Sequence, residues 1–193
     1  MEKIRAFIAI ELPDAVSDAL SLVQGRLRVE RHPYVKWVDP GAIHLTLKFL
    51  GNIDVEKVSP ITEAIARAAQ GVSPFHLELG GLGAFPNLRR PNVIWVAVKG
   101  DVERLASLQR EIDHFLVPFG FSPESRPFTA HLTLGRLRER ASAAERQRIG
   151  ESLITAKPEE VPFQVGEISL MRSTLTPSGA IYSRLSSVPL AVA

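Results

Sequence analysis

The tetrapeptide His-Leu-Thr-Leu occurs twice in this chain, at residues 44–47 and again at 131–134. With 5 His, 7 Thr and 22 Leu among 193 residues, shuffling would produce one copy with an expectation of roughly 0.002. Two copies are therefore the mark of an internal duplication. A duplication constrains the fold strongly, because two similar halves must present the same strand from each side. Both copies alternate as a strand does, with successive side chains on opposite faces. In His44-Leu45-Thr46-Leu47-Lys48-Phe49 this puts His, Thr and Lys on one face and the apolar residues on the other. His131, Thr133 and Gly135 repeat the polar row against Leu132 and Leu134. The apolar rows belong to a core, which leaves an imidazole and a hydroxyl, two residues apart, free to meet one ligand.

The flanking pattern supports two equivalent halves. Residues 5–12 read as a buried strand, and Pro13 opens a helix to about Arg28 with Val16, Leu20, Val23 and Leu27 on one stripe. Strands over 35–38 and 44–50 surround the turn Asp39-Pro40-Gly41, and Gly51-Asn52 is expected to stop the second. A helix over 54–70 carries Val58, Ile61, Ile65 and Ala68, and a strand over 75–79 is expected to end at Gly80-Gly81-Leu82-Gly83. The order then recurs: a strand over 92–99, and a helix capped by Asp101 with Val102, Leu105, Leu108, Ile112 and Phe115 inward. The second motif strand follows over 128–134, then a helix opened by the capping box Ser142 to Glu145. Strands over 163–171 and 180–186 are expected to form a hairpin around Thr176-Pro177-Ser178-Gly179. The expected class is α+β: a single bilobal domain over 1–193, duplicated roughly as 1–86 and 90–190. Its two pseudo-twofold-related sheets, antiparallel or mixed, carry helices on their outer sides and enclose a central cleft lined by the motif strands.

Composition narrows the function classes. The absence of cysteine excludes disulfides and thiolate metal sites and fits a reducing compartment. Met1-Glu2-Lys3-Ile4-Arg5 leads straight into a strand without a signal-like apolar stretch, and no apolar run reaches the ~20 residues a membrane span needs. A cytoplasmic protein without membrane contact is expected. Net charge is only +2, but arginine outnumbers lysine 17 to 6. That balance suits local phosphate recognition by guanidinium forks. It argues against a broad nucleic-acid-coating surface.

Hydrolysis of a phosphodiester needs one group to take a proton from water and another to give one to the departing alkoxide, on opposite sides of phosphorus. Two histidines with pKa near ~6.5 supply both roles near neutral pH. The hydroxyls of Thr46 and Thr133 can donate to the non-bridging oxygens. No metal or cofactor is required. A zinc reading fails because neither motif has a His, Cys, Asp or Glu two to five residues away on the same face.

These residues resemble the 2H phosphoesterases, and within them the RNA 2′,3′-cyclic phosphodiesterases, also called 2′-5′ RNA ligases. The resemblance covers nearly the full length. It rests on Phe7-Ile8-Ala9-Ile10, on Trp37-Val38 before His44-Leu45-Thr46-Leu47-Lys48-Phe49-Leu50-Gly51, and on Leu79-Gly80-Gly81-Leu82-Gly83-Ala84-Phe85-Pro86. Arg126-Pro127-Phe128 and Leu175-Thr176-Pro177-Ser178-Gly179 complete it, and Ala130 departs from the proline common before the second histidine. The resemblance implies a bilobal α+β fold with a V-shaped cleft, and opening of terminal RNA 2′,3′-cyclic phosphates to 2′-phosphates. It also implies that His44 donates a proton to the leaving 3′ oxygen and that His131 takes one from water. Alternatives are the reverse joining to a 2′-5′ linkage, or a nucleotide or RNA binder without turnover. RNA ends are the expected partners, and a monomer the expected state.

Further candidates are weaker. Arg126 and Arg136 flank the second motif and are candidates to hold phosphate or ribose, although alternation puts Arg136 on the Leu132 face unless the strand bulges. Tyr182 and Trp37 are candidates to stack on a base, each more readily explained by packing. Phe49 has core parity, and Lys48 shares the face of His44 but is expected to reach solvent at the strand end. His32, His76 and His114 are read as structural, and Arg138, Arg140, Arg146 and Arg148 as a solvated face.

Overall fold

β1 (Lys3–Glu11) is apolar on both faces over residues 6–10, where both are covered. Ile4, Ala6, Ile8 and Ile10 enter the main core, while Phe7 and Ala9 join a small cluster with Met171, against which Tyr182 packs. The computed structural model describes residues 2–29, 32–177 and 179–191, so Met1 and Ser178 of the turn above lie outside it. After β1 come α1 (Asp14–Val29), β2 (Val35–Trp37), β3 (His44–Asp54), α2 (Val58–Ala69) and β4 (Phe75–Phe85). β5 (Val93–Gly100), α3 (Val102–Leu116), β6 (His131–Leu137), α4 (Ala143–Thr155), β7 (Pro162–Val165), β8 (Glu167–Thr176) and β9 (Gly179–Pro189) follow.

The fold is α+β with two antiparallel sheets, ordered β3-β1-β8-β9 and β2-β6-β5-β4-β7. The sheets do not follow the halves of the chain. β8 and β9 from the C-terminal end sit beside β1, while β4 and β2 from the N-terminal half join β5 and β6. Each half thus lends strands to the other's sheet. The helices pack on the apolar rows: Val16, Leu20, Val23 and Leu27 of α1 are all buried, in one core with Leu45, Leu47, Leu132 and Leu134. Burial of such side chains contributes of order 1.5–3 kcal/mol apiece. Among the described residues no helix is long and apolar enough to cross a membrane.

Several boundaries differ from the sequence expectation, each for a local reason. β3 does not stop at Gly51-Asn52 but runs on to Asp54, with Gly51 at φ 70° accommodating a register shift against β1. β4 likewise continues through the glycine run, shifting register between Leu79 and Leu82. Gly83 is needed there because a Cβ would overlap the ring of Trp95. The expected strand over 163–171 is split at Gly166: β7 pairs with β4 in one sheet and β8 with β1 in the other. Residues 128–130 are irregular, so the second motif strand begins at His131. Asp101 precedes α3 but turns its carboxylate to the His76 N–H at 2.9 Å, tying the helix start to β4. Val102 in the first turn is correspondingly exposed rather than core. The Ser142–Glu145 capping box is formed in both directions.

Candidate active site

The two motif strands come together along one cleft of about 870 Å³, lined by His44, Thr46, His131 and Thr133. Both imidazoles are held alike. Nδ1 of His44 lies 3.0 Å from the carbonyl oxygen of Ala42, and Nδ1 of His131 lies 2.7 Å from that of Thr129. In each case the carbonyl belongs to the residue two positions earlier. A carbonyl oxygen only accepts, so Nδ1 carries the proton and Nε2 is left to exchange one with a ligand.

The surroundings of the two rings differ. His44 stacks on Phe7 at a centroid distance of 4.5 Å and makes a T-shaped contact with Tyr182 at 4.9 Å. Burial pushes the His44 imidazole below its ordinary pKa, opposed in part by the Ala42 carbonyl and the Glu11 carboxylate. His131 instead makes a T-shaped contact with Phe85 at 5.0 Å and lies 6.2 Å from Trp95.

A second feature is shared and was hidden from the alternation. Each motif strand bulges at its fourth residue. The register against β1 skips Leu47, between Lys48 paired with Ile8 and Thr46 paired with Ala9. The register against β5 skips Leu134, between Gly135 paired with Ile94 and Thr133 paired with Trp95. The Leu134 carbonyl accepts from the Val38 N–H at 2.9 Å and from the buried Gln24 side chain at 2.9 Å, which holds that bulge in place. A bulge re-aims every later side chain. Arg136 therefore lines the cleft, and so does Phe49, 64% exposed where parity had placed it in the core. Lys48 borders the same cleft but is drawn beneath its surface: it is 3% exposed and paired with Asp113 of α3 instead of reaching solvent.

Arg126 and Tyr182 also line the cleft. Trp37 packs against the core under the guanidinium of Arg28 and not along the cleft. His32, His76 and His114 do not line it either. Sequence reasoning missed Arg5, Phe7, Phe85 and Phe128, all on the cleft wall. Phe7 was legible in principle, since alternate residues of a strand flanked by a motif strand share that strand's polar face. Chemically, the site offers two nitrogens that take or give protons and two hydroxyls, ringed by arginines and aromatics. That is a constellation for an anionic ester carrying a base.

A family model described as LigT-like phosphoesterase matches the chain twice, over residues 10–95 and 96–182. An RNA 2′,3′-cyclic phosphodiesterase of Methanothermobacter thermautotrophicus is 36% identical over 94% of this chain and 96% of its own. One from Thermotoga maritima is 34% identical over 94% of this chain and 92% of its own. A crystal structure from Thermus thermophilus superposes with a TM-score of 0.79 at 28% identity, covering 97% of this chain and 98% of that one.

Proposed function

The chain belongs to the LigT-like phosphoesterase family, and from that premise we propose that it is an RNA 2′,3′-cyclic phosphodiesterase driven by His44 and His131. The observation that carries the mechanism is the equal anchoring of both rings, Nδ1 to a backbone carbonyl, in one shared cleft. With phosphorus between them, Nε2 of His131 takes a proton from water as the oxygen attacks. The bond from phosphorus to the 3′ oxygen breaks, and Nε2 of His44 supplies the proton that oxygen needs. A 2′-phosphate and a free 3′ hydroxyl result. The two rings then exchange one proton each with solvent, and the balance is restored. The direction of these transfers follows the family resemblance.

The remaining groups support that step. A histidine pKa lowered by burial makes the His44 imidazolium a more willing donor. The Thr46 and Thr133 hydroxyls donate to the non-bridging oxygens, where charge accumulates. Arg126, Arg136 and Tyr182 hold the RNA end. The proton inventory closes with two imidazoles, so the scheme runs without a metal. Because one chain carries both motifs into the cleft, we assign a monomer, and the absence of cysteine supports placing it in the cytoplasm.

The test is incubation with a nucleoside 2′,3′-cyclic phosphate plus chelator, followed by phosphorus NMR. Conversion to the 2′-phosphate is expected, with loss of turnover in His44→Ala and in His131→Ala while the far-ultraviolet spectrum is unchanged. Turnover within tenfold of wild type in either variant would falsify the scheme.

A further inference from the structure

Resting on that reading of the cleft, we propose that the buried Lys48–Asp113 ion pair is a strut that fixes residues 122–126 and so positions Arg126 on the substrate. Lys48 Nζ donates to Asp113 Oδ1 at 2.6 Å and to the Ser122 carbonyl at 2.8 Å. The other carboxylate oxygen, Oδ2, accepts from the Glu124 N–H at 3.0 Å. Among the described residues, these are the hydrogen bonds that tie 122–126 to the rest of the fold. The side chains of 122–126 are exposed, so apolar packing does not hold the segment. Two residues beyond Glu124 stands Arg126 on the cleft wall, and the Thr129 carbonyl after it anchors His131. One end of the arginine's segment is thus fixed to β3 and the other to the second histidine.

The strut is a positioning device and not a requirement of the strand. In the second copy, the residue after the bulge is Gly135, over which Val35 and Trp37 close. The bulged motif therefore forms with no charge at that place. Lysine and aspartate are almost never buried unless paired. A buried pair is also weak in net stability against apolar side chains of similar size. What the pair supplies that an apolar pair does not is three directed hydrogen bonds, two of them to the backbone of one segment. The contact spans the duplication, since Lys48 comes from the first half and Asp113 from the second.

The test replaces both partners at once, because removing one strands a buried charge. Lys48→Met with Asp113→Leu keeps the volume apolar and is compared with wild type, Arg126→Ala and the triple variant. Two readouts are taken: Kd by calorimetry for a dinucleotide ending in a 2′-phosphate, and KM with kcat on the matching cyclic phosphate. Breaking the strut is expected to raise Kd and KM about tenfold, with kcat within about threefold. On the Arg126→Ala background the same replacement is expected to add less than about twofold, since the strut acts through that arginine. Glu124→Pro deletes the N–H that donates to Asp113 and is compared with Glu124→Ala, which keeps that N–H while removing the same cleft-lining carboxylate. A higher Kd in the proline variant than in the alanine one is expected, and this pair serves if the double variant does not fold. An unmoved Kd, or an equal rise with and without Arg126, overturns the proposal. Binding of the dinucleotide needs no turnover. Failure of the wild type to open a cyclic phosphate would therefore count against the function and leave the strut result readable.

Discussion

β3 and β6 begin alike and end differently. Over His-Leu-Thr-Leu they share the residues, the Nδ1 contact to the carbonyl two positions back, and the bulge at the fourth residue. From the fifth residue they part: buried Lys48 against tightly covered Gly135, then Phe49 against Arg136, both turned into the cleft. Their settings differ too. β3 is an edge strand of its sheet, whereas β6 lies between β2 and β5. Under the proposed mechanism, the part common to the two copies is the part that handles protons, and the part that differs is the part that would touch the rest of the ligand. An aromatic on one wall and a guanidinium on the other make the cleft asymmetric, which a directional substrate such as an RNA end requires.

The shared part predicts the largest effects. His44→Ala and His131→Ala are each expected to lower kcat/KM on a cyclic phosphate by about 10²–10⁴-fold. The double variant should be little worse than the worse single, because the two proton transfers belong to one step. A loss confined to one histidine would break the equivalence of the copies. The first divergent position comes next. Lys48→Ala leaves Asp113 buried without its partner and is expected to cost about 3–5 kcal/mol. Gly135→Ala drives a Cβ to 2.8 Å from Val35 Cγ1, an overpacking expected to cost about 1–3 kcal/mol. Urea midpoints at constant slope check both. Equal losses would mean that the two bulges carry the same load.

How much of this was legible from the chain follows the same divide. The repeat, the alternation over four residues and the helix stripes at 16, 20, 23 and 27 are local patterns, and the structure carries them directly into one core. The bulges are not local. The bulge at Leu134 depends on Val38 and on Gln24, which reaches it across 110 residues, so parity counting leaves Arg136 undecided. The bulge at Leu47, set by the pairing with β1, is what misplaces Lys48 and Phe49. The exchange of β4 and β8 between sheets is likewise a tertiary choice, and no stretch of sequence announces which sheet a strand joins. Phe85 was unreadable for that reason: it meets His131 because β4 crosses into the other half's sheet.

The second divergent position predicts smaller effects of different physical kind. On a short oligonucleotide ending in a cyclic phosphate, Phe49→Ala should weaken binding by about 1–3 kcal/mol if the ring stacks on a base, with little dependence on salt. Arg136→Ala should reduce the slope of log Kd against log salt by about one if the guanidinium holds a phosphate. Salt titration of both variants separates the two walls. The same slope change in both would mean that the walls are not specialised.

The smallest expected change tests which ring gives and which takes. Burial lowers the His44 pKa, and the Glu11 carboxylate opposes this by favouring the imidazolium. Glu11→Gln removes that negative charge, so the pKa falls further. An amide oxygen remains for the Ser169 hydroxyl, and Glu167 remains for Arg184. Titration of the ring by NMR reads the shift directly. Its kinetic consequence depends on the role. If His44 is the donor, activity requires its protonated form. At pH above both imidazole pKa values, kcat/KM then drops by the factor that the pKa has fallen, and at pH below both it is unchanged. If His44 were the acceptor, the alkaline rate would be untouched and the acidic rate would rise. Arg184 lies against Glu11 and its charge is permanent, so it adds the same sign at every pH and does not blur the distinction.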